Sequence, residues 1–175
     1  MARVYTFGHS SRSIEEFVSA LCIYDITVVV DIRRFPGSRR NPQFGADALA
    51  ATLNKQGIRY RHLEALGGRR SESRTDSPND EWENDSFQAY ADYALTDEFQ
   101  TALDELVALA EDEVPVIVCA EAVYWRCHRR IVADWLLARG CEVLNIFDAD
   151  RADEHELTRF AEVSDGCVTY PADES

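Results

Sequence analysis

Apolar and polar positions alternate with two different periods along this chain, and the switches between them divide it into strands and helices. A first apolar run at 4–8 predicts a strand. Ser13-Ile14-Glu15-Glu16 is a capping box, with Ser13 as the N-cap and Glu16 three residues on. Ile14, Phe17, Val18, Leu21 and Cys22 then recur at helical spacing and predict an amphipathic helix over 14–24. Residues 26–32, ITVVVDI, are an almost continuous β-branched run, the pattern of a strand covered on both faces. A short helix over 46–56 is closed by Gly57 at the left-handed position past its end. Residues 58–62 alternate apolar and polar side chains, as at the edge of a sheet.

Residues 63–85, rich in Gly, Ser, Asp and Asn, read as an irregular excursion. Consecutive helices are expected over 86–95 and 96–110, the second capped by Thr96 with acids in its first turn. A third buried strand is predicted at 114–119, a helix over 127–139 ending at Gly140, and a further strand at 141–147. Such alternation implies a mostly parallel sheet with right-handed crossovers. The expected fold class is α/β: a single three-layer domain, Rossmann-like or rhodanese-like, with helices flanking the sheet. The single domain is expected to cover 1–175.

Composition narrows the function classes. A chain of 175 residues with 46% hydrophobic residues suits one sizeable core. No stretch approaches the roughly 20 apolar residues that span a bilayer, so no membrane partner is expected. The start, Met1-Ala2-Arg3-Val4-Tyr5, runs directly into the first strand, and a cytoplasmic location is the expectation. Five cysteines, odd in number and without CxxC spacing, read as reduced thiols. Net charge is −14, with 17 Arg against a single lysine, Lys55. Such an acidic, lysine-poor surface suits a cytosol of high salt, although a GC-rich genome also favours Arg over Lys.

The distribution of that charge says more than its total. Residues 33–74 hold nine Arg and one Lys against three acids, while 75–113 hold thirteen acids and no basic residue. Arginines concentrated in this way suit a phosphate-bearing small molecule or a short stretch of nucleic acid, because planar guanidinium forks match phosphate geometry. The competing reading is internal pairing of the basic segment with the acidic one, which contributes little stability per surface pair.

Three polar segments directly follow apolar strands, where ligands collect in parallel sheets. They are Gly8-His9-Ser10-Ser11-Arg12, the run from Asp31 through Arg33, Arg34 and Pro36 to Phe44, and Cys119-Ala120-Glu121 continuing to Trp125-Arg126-Cys127-His128-Arg129. The anion contacts expected from them, together with the GGRR turn, are Arg33, Arg39, Arg40, Arg69, Arg70, Arg126, Arg129, His9 and Ser10. Asp31, Glu121 and His128 are acid–base candidates, with structural pairing of Asp31 to Arg33 as the alternative for that residue. Cys119 is a candidate nucleophile at a strand end ahead of a helix N-terminus. Arg126 lies seven residues beyond it, however, one too many for a Cys-x5-Arg loop, and Glu121 opposes a thiolate. The cysteine and histidine spacing matches no familiar zinc pattern, and neither GxGxxG nor GxxxxGK[ST] occurs, so no metal or cofactor is expected. Trp82, Trp125 and Trp135 read as packing residues rather than base-stacking platforms.

The segments FGHSSRSIEEF, VVVDIRRFPGSRRNPQF, GIRYRHLEALGGRR, FQAYADYALTDEFQ and CAEAVYWRCHRRIVADWLLARG, in this order, resemble domain of unknown function family 488. The resemblance implies a compact α/β fold and shared motifs at Arg33, 38–42, 67–70, 119–121 and 127–129, and it implies no reaction. Three functions therefore stand as expectations. The first is an enzyme, hydrolytic in character, acting on a nucleotide or nucleic-acid phosphate. The second is a nonenzymatic sensor or nucleic-acid-binding module. The third is a thiol-dependent sulfur or phosphoryl transferase using Cys119.

Overall fold

The Val- and Ile-rich runs become the middle of a sheet because helices cover both of its faces. The computed structural model describes residues 2–33, 41–67, 77–82, 84–123, 125 and 127–171, with the side chain of residue 85 left aside. Five strands run parallel: β1 (Arg3–Gly8), β2 (Val28–Asp31), β3 (Arg59–His62), β4 (Pro115–Cys119) and β5 (Glu142–Asp148). A sixth, β6 (Arg151–Glu154), returns antiparallel along β5, giving the order β3-β2-β4-β1-β5-β6. Strands β2 and β4, flanked on both sides, are buried at every residue, whereas the edge strand β3 carries half-exposed arginines.

The helices are α1 (Ile14–Ile23), α2 (Ala46–Lys55), α3 (Asp85–Tyr93), α4 (Asp97–Asp112) and α5 (Arg129–Ala138). Their apolar stripes sort cleanly between the sheet faces. Phe17 and Leu21 of α1 and Leu49 and Leu53 of α2 pack against Phe7, Val29, Val116 and Val118. On the other face Leu103 and Leu106 of α4 and Ile131, Val132 and Trp135 of α5 pack against Val28, Val30, Ile117 and Val143. Alternate residues of one strand thus serve different layers, as the period of two requires.

The caps act as read from the sequence. Ser13 Oγ accepts from the Glu16 amide at 3.1 Å, and Thr96 accepts from Phe99. Gly57 and Gly140 follow α2 and α5 with φ of +74° and +84°. Helix α3 begins earlier than expected because Asn84 caps it, accepting from the amides of Ser86 and Phe87.

Beyond β5 the chain adds β6 and a hairpin of β7 (Glu162–Ser164) and β8 (Cys167–Thr169), whose turn residues Asp165 and Gly166 both have positive φ. This segment is tied to α5 by one buried carboxylate. Asp134 accepts from His155 Nε2 at 2.8 Å, the Thr158 amide at 3.1 Å and the Tyr170 hydroxyl at 2.7 Å. Tyr170 also packs with Trp82 and Phe160 in an aromatic cluster. Among the described residues no helix is long and apolar enough to cross a membrane.

Topology fixes where a site can form. The chain leaves β1 and β2 toward α1 and α2 on one face, but it leaves β4 toward α5 on the other. Strand β4 lies between β1 and β2, so its carboxyl end is flanked by two points at which connections diverge. Crevices open at such switch points in parallel sheets.

Candidate functional site

The carboxyl ends of β1, β2 and β4 gather residues from all three polar segments. Gly8 ends β1, and it must be glycine: a methyl group built there would sit on the backbone carbonyl of Glu121, well inside contact. The first and third segments are stitched together by backbone bonds from His9 N to Cys119 O and from Ser10 N to Ala120 O, each 2.9 Å. Ser10 contributes through its backbone, with φ of +48°, and its carbonyl accepts from His9 Nδ1 at 2.8 Å.

Asp31 at the end of β2 is wholly buried and fully engaged. Arg33 binds it through Nε at 2.9 Å and Nη2 at 2.6 Å, the bidentate fork, and its backbone amide adds a third bond to Oδ1. Tyr60 on β3 donates its hydroxyl to Oδ2 at 2.5 Å. Arg33 Nη1 turns to His9 Nε2 at 3.3 Å, and His62 Nε2 donates to the Arg33 carbonyl at 2.6 Å. Because a carbonyl can only accept, His9 carries its proton on Nδ1 and offers Nε2 as the acceptor for Arg33. Burial, opposed by the Ser10 carbonyl and assisted by Arg33, holds His9 below the usual histidine range, and its ring stacks on Phe44. Burial works against the charge on Arg33, but hydrogen bonding to Asp31 outweighs it and holds the guanidinium above its ordinary value. Burial and then Asp31 push the Tyr60 phenol up. This cluster pairs its two charges with each other.

The β4 side is built differently. Cys119 closes β4 and Cys127 precedes α5, and their Sγ atoms meet at 2.6 Å. His128 caps α5 without a side-chain bond to the helix. Its Nε2 donates instead to the Ile32 carbonyl at 2.9 Å, which leaves Nδ1 as an acceptor 3.4 Å from Cys127 Sγ. The ring packs against Tyr90, and burial keeps His128 below its ordinary pKa and therefore neutral. Burial alone would raise both thiols. For Cys127 it is outweighed by the hydrogen bond with Cys119 and by the guanidinium and amide of Arg129, which draw the thiol below its ordinary value. Cys119, buried and facing Cys127, is pushed well up and keeps its proton.

Arg129 opens α5 with its side chain 1% exposed. Its Nη2 donates to the Ala122 carbonyl at 3.2 Å, while Nε and Nη1 are buried without a hydrogen-bond partner among the described residues. Buried charged donors without acceptors are unfavourable, and an acceptor anion would relieve them.

Of the residues expected from the sequence, His9, Ser10, Asp31, Arg33, Cys119, His128 and Arg129 thus converge on the strand ends, and Glu121 lies exposed in the connector above them. Arg39, Arg40, Arg69, Arg70 and Arg126 lie outside the described residues. Internal pairing accounts for two arginines of the basic segment, since Arg59 and Arg61 bind Glu113 and Glu105 of the acidic one. They line a surface groove between β3 and α4, away from the strand ends. Trp82 and Trp135 are packed, whereas Trp125 is 46% exposed. Tyr60 and Cys127 were not among the expected site residues. The run Cys127-His128-Arg129 at a helix start was the available signal for the second, and Tyr60 had none, because its role depends on strand pairing.

A family model, Domain of unknown function DUF488, matches residues 13–136. No curated protein and no solved structure matches the chain.

Proposed function

The chain belongs to this family of unknown function, and from that premise we propose that its strand-end site binds a phosphate-bearing ligand, a nucleotide or a short stretch of nucleic acid, with Arg129 as the central anion contact. One observation carries the reading: Arg129 is buried, yet two of its nitrogens lack partners. The N-terminus of α5 adds partial positive charge at the same place. Arg33 is a positioning residue in this reading, because its fork is committed to Asp31. Asp31, engaged by Arg33 and Tyr60, has the same role, which leaves Glu121 and neutral His128 as the acid–base pair of a hydrolytic step. In the thiol-dependent alternative the nucleophile is Cys127 rather than Cys119, since the guanidinium and amide of Arg129 face Cys127.

Thermal unfolding with inorganic phosphate, mononucleotides and short single strands tests the proposal. At a ligand concentration a hundredfold above Kd, stabilisation is about 2.7 kcal/mol, or a shift of about 5–10 °C for a chain of this size. The shift is expected to shrink with added salt and to vanish in Arg129→Met. No shift with any of these anions, or an equal shift in the variant, overturns the reading.

A further inference from the structure

The sulfur pair under the β4–α5 connector carries chemistry that anion binding does not use. Five free cysteines divide into three kinds: Cys22 and Cys167 are exposed, Cys141 is buried apart from the others, and Cys119 and Cys127 are buried in contact. The contact pair alone has a base, a counter-charge and a second thiol within reach. His128 Nδ1 lies 3.4 Å from Cys127 Sγ, and its tautomer is fixed from the far side by the Ile32 carbonyl. The Arg129 amide points at the same sulfur at 3.5 Å. A nucleophile, a base within reach and a third group orienting that base is the arrangement that activates a thiol.

We propose that Cys127 and Cys119 form a redox-active dithiol that reduces small hydroperoxides, Cys127 attacking and Cys119 resolving. His128 Nδ1 takes the Cys127 proton. The thiolate attacks one peroxide oxygen, an S–O bond forms, the O–O bond breaks, and the departing alkoxide or hydroxide takes the proton back from His128. Cys127 is then a sulfenic acid. Cys119 sulfur attacks it, an S–S bond forms, the S–O bond breaks, and hydroxide leaves as water with the Cys119 proton. Two thiols lose two electrons, and the hydroperoxide becomes an alcohol, or water, plus water. The lowered Cys127 thiol and the raised Cys119 thiol agree with this order, because Cys127 is the sulfur more readily deprotonated for the first attack, while Cys119 gives up its proton only as it attacks the sulfenic acid, to the departing hydroxide. Among the described residues, Ala120 and Glu121 beside Cys119 are exposed, and the Glu121 carbonyl lies 3.8 Å from Cys119 Sγ.

The test is treatment of the intact protein with a stoichiometric amount of hydrogen peroxide, followed by denaturation, alkylation and peptide mapping. The expected product is one Cys119–Cys127 cross-linked peptide, with Cys22, Cys141 and Cys167 still alkylated. In Cys119→Ser the reaction should stop at a dimedone-reactive sulfenic acid on Cys127, and in His128→Gln cross-linking should slow about a hundredfold. Full alkylation of both buried cysteines after oxidation overturns the proposal, as does faster oxidation of Cys22 or Cys167. The wild-type map stands whether or not the variants fold. No phosphate is present in it, so its result is separate from that of the anion site.

Discussion

Among the described residues two arginines are hidden at the strand ends, and the fold treats them in opposite ways. Arg33 spends its fork on Asp31 and its remaining reach on His9, and Tyr60 completes the carboxylate. Arg129 is buried still more deeply and keeps one side-chain bond, to a backbone carbonyl. A buried charge is tolerable when it is paired and expensive when it is not. The β2 side therefore reads as architecture, a neutral clasp joining β1, β2 and β3. In the proposed reading the β4 side is kept for a guest anion or for thiol chemistry.

The largest effect should come from the contrast between replacing Arg33 and replacing Arg129 by methionine, which keeps bulk and removes charge. Arg33→Met strands a buried carboxylate and is expected to cost about 3–5 kcal/mol in denaturant unfolding. Arg129→Met removes unmet donors and should fall within about 1 kcal/mol of wild type. Equal losses would erase the distinction between the two sides. A smaller effect is expected from pH. His9 and His128 sit on opposite sides, and both have native pKa values below the ordinary 6.5. The unfolded chain then binds protons that the native one refuses, so stability is complete above about 6.5 and declines as pH falls toward the depressed native values. Each unit of depression is worth about 1.4 kcal/mol. Melting temperatures from about pH 8 to about pH 5 should show the decline, and it should flatten in His9→Gln and in His128→Gln. An unchanged slope in both variants contradicts the assignment. The smallest effect belongs to the β3 edge, where Arg61→Gln breaks a half-exposed pair with Glu105 and should alter stability by less than about 1 kcal/mol.

Much of the framework was legible because it follows from local rules. Ser13 and Thr96 cap as their side chains dictate, Gly57 and Gly140 stop helices where a left-handed residue is needed, and the Val-rich runs lie inside the sheet. Strands β6, β7 and β8 were not legible, because Arg151–Glu154 has a single apolar residue, Ala152, and Glu162–Ser164 is exposed at every residue. Neither carries the apolar alternation that marks a half-buried strand. At the site, the arrival of the three polar segments at strand ends could be read from their position directly after apolar runs. The division between a saturated and an unsaturated side could not. It turns on which partner each guanidinium meets, and Tyr60 reaches Asp31 only because β3 pairs with β2 in one register. The sulfur contact was equally hidden, since residues eight apart meet only when the connector folds back over β4.

The buried carboxylate of Asp134 has a consequence in the order of synthesis. Among the described residues its hydrogen-bond partners, at 155, 158 and 170, are all translated after it, and all three lie beyond the stretch that the family model matches. While the ribosome is still adding those residues, α5 would have to bury an unanswered negative charge. The helix that presents Cys127, His128 and Arg129 is thus expected to lock into place late, once Tyr170 has cleared the exit tunnel, with the β1–β2 half already assembled behind it.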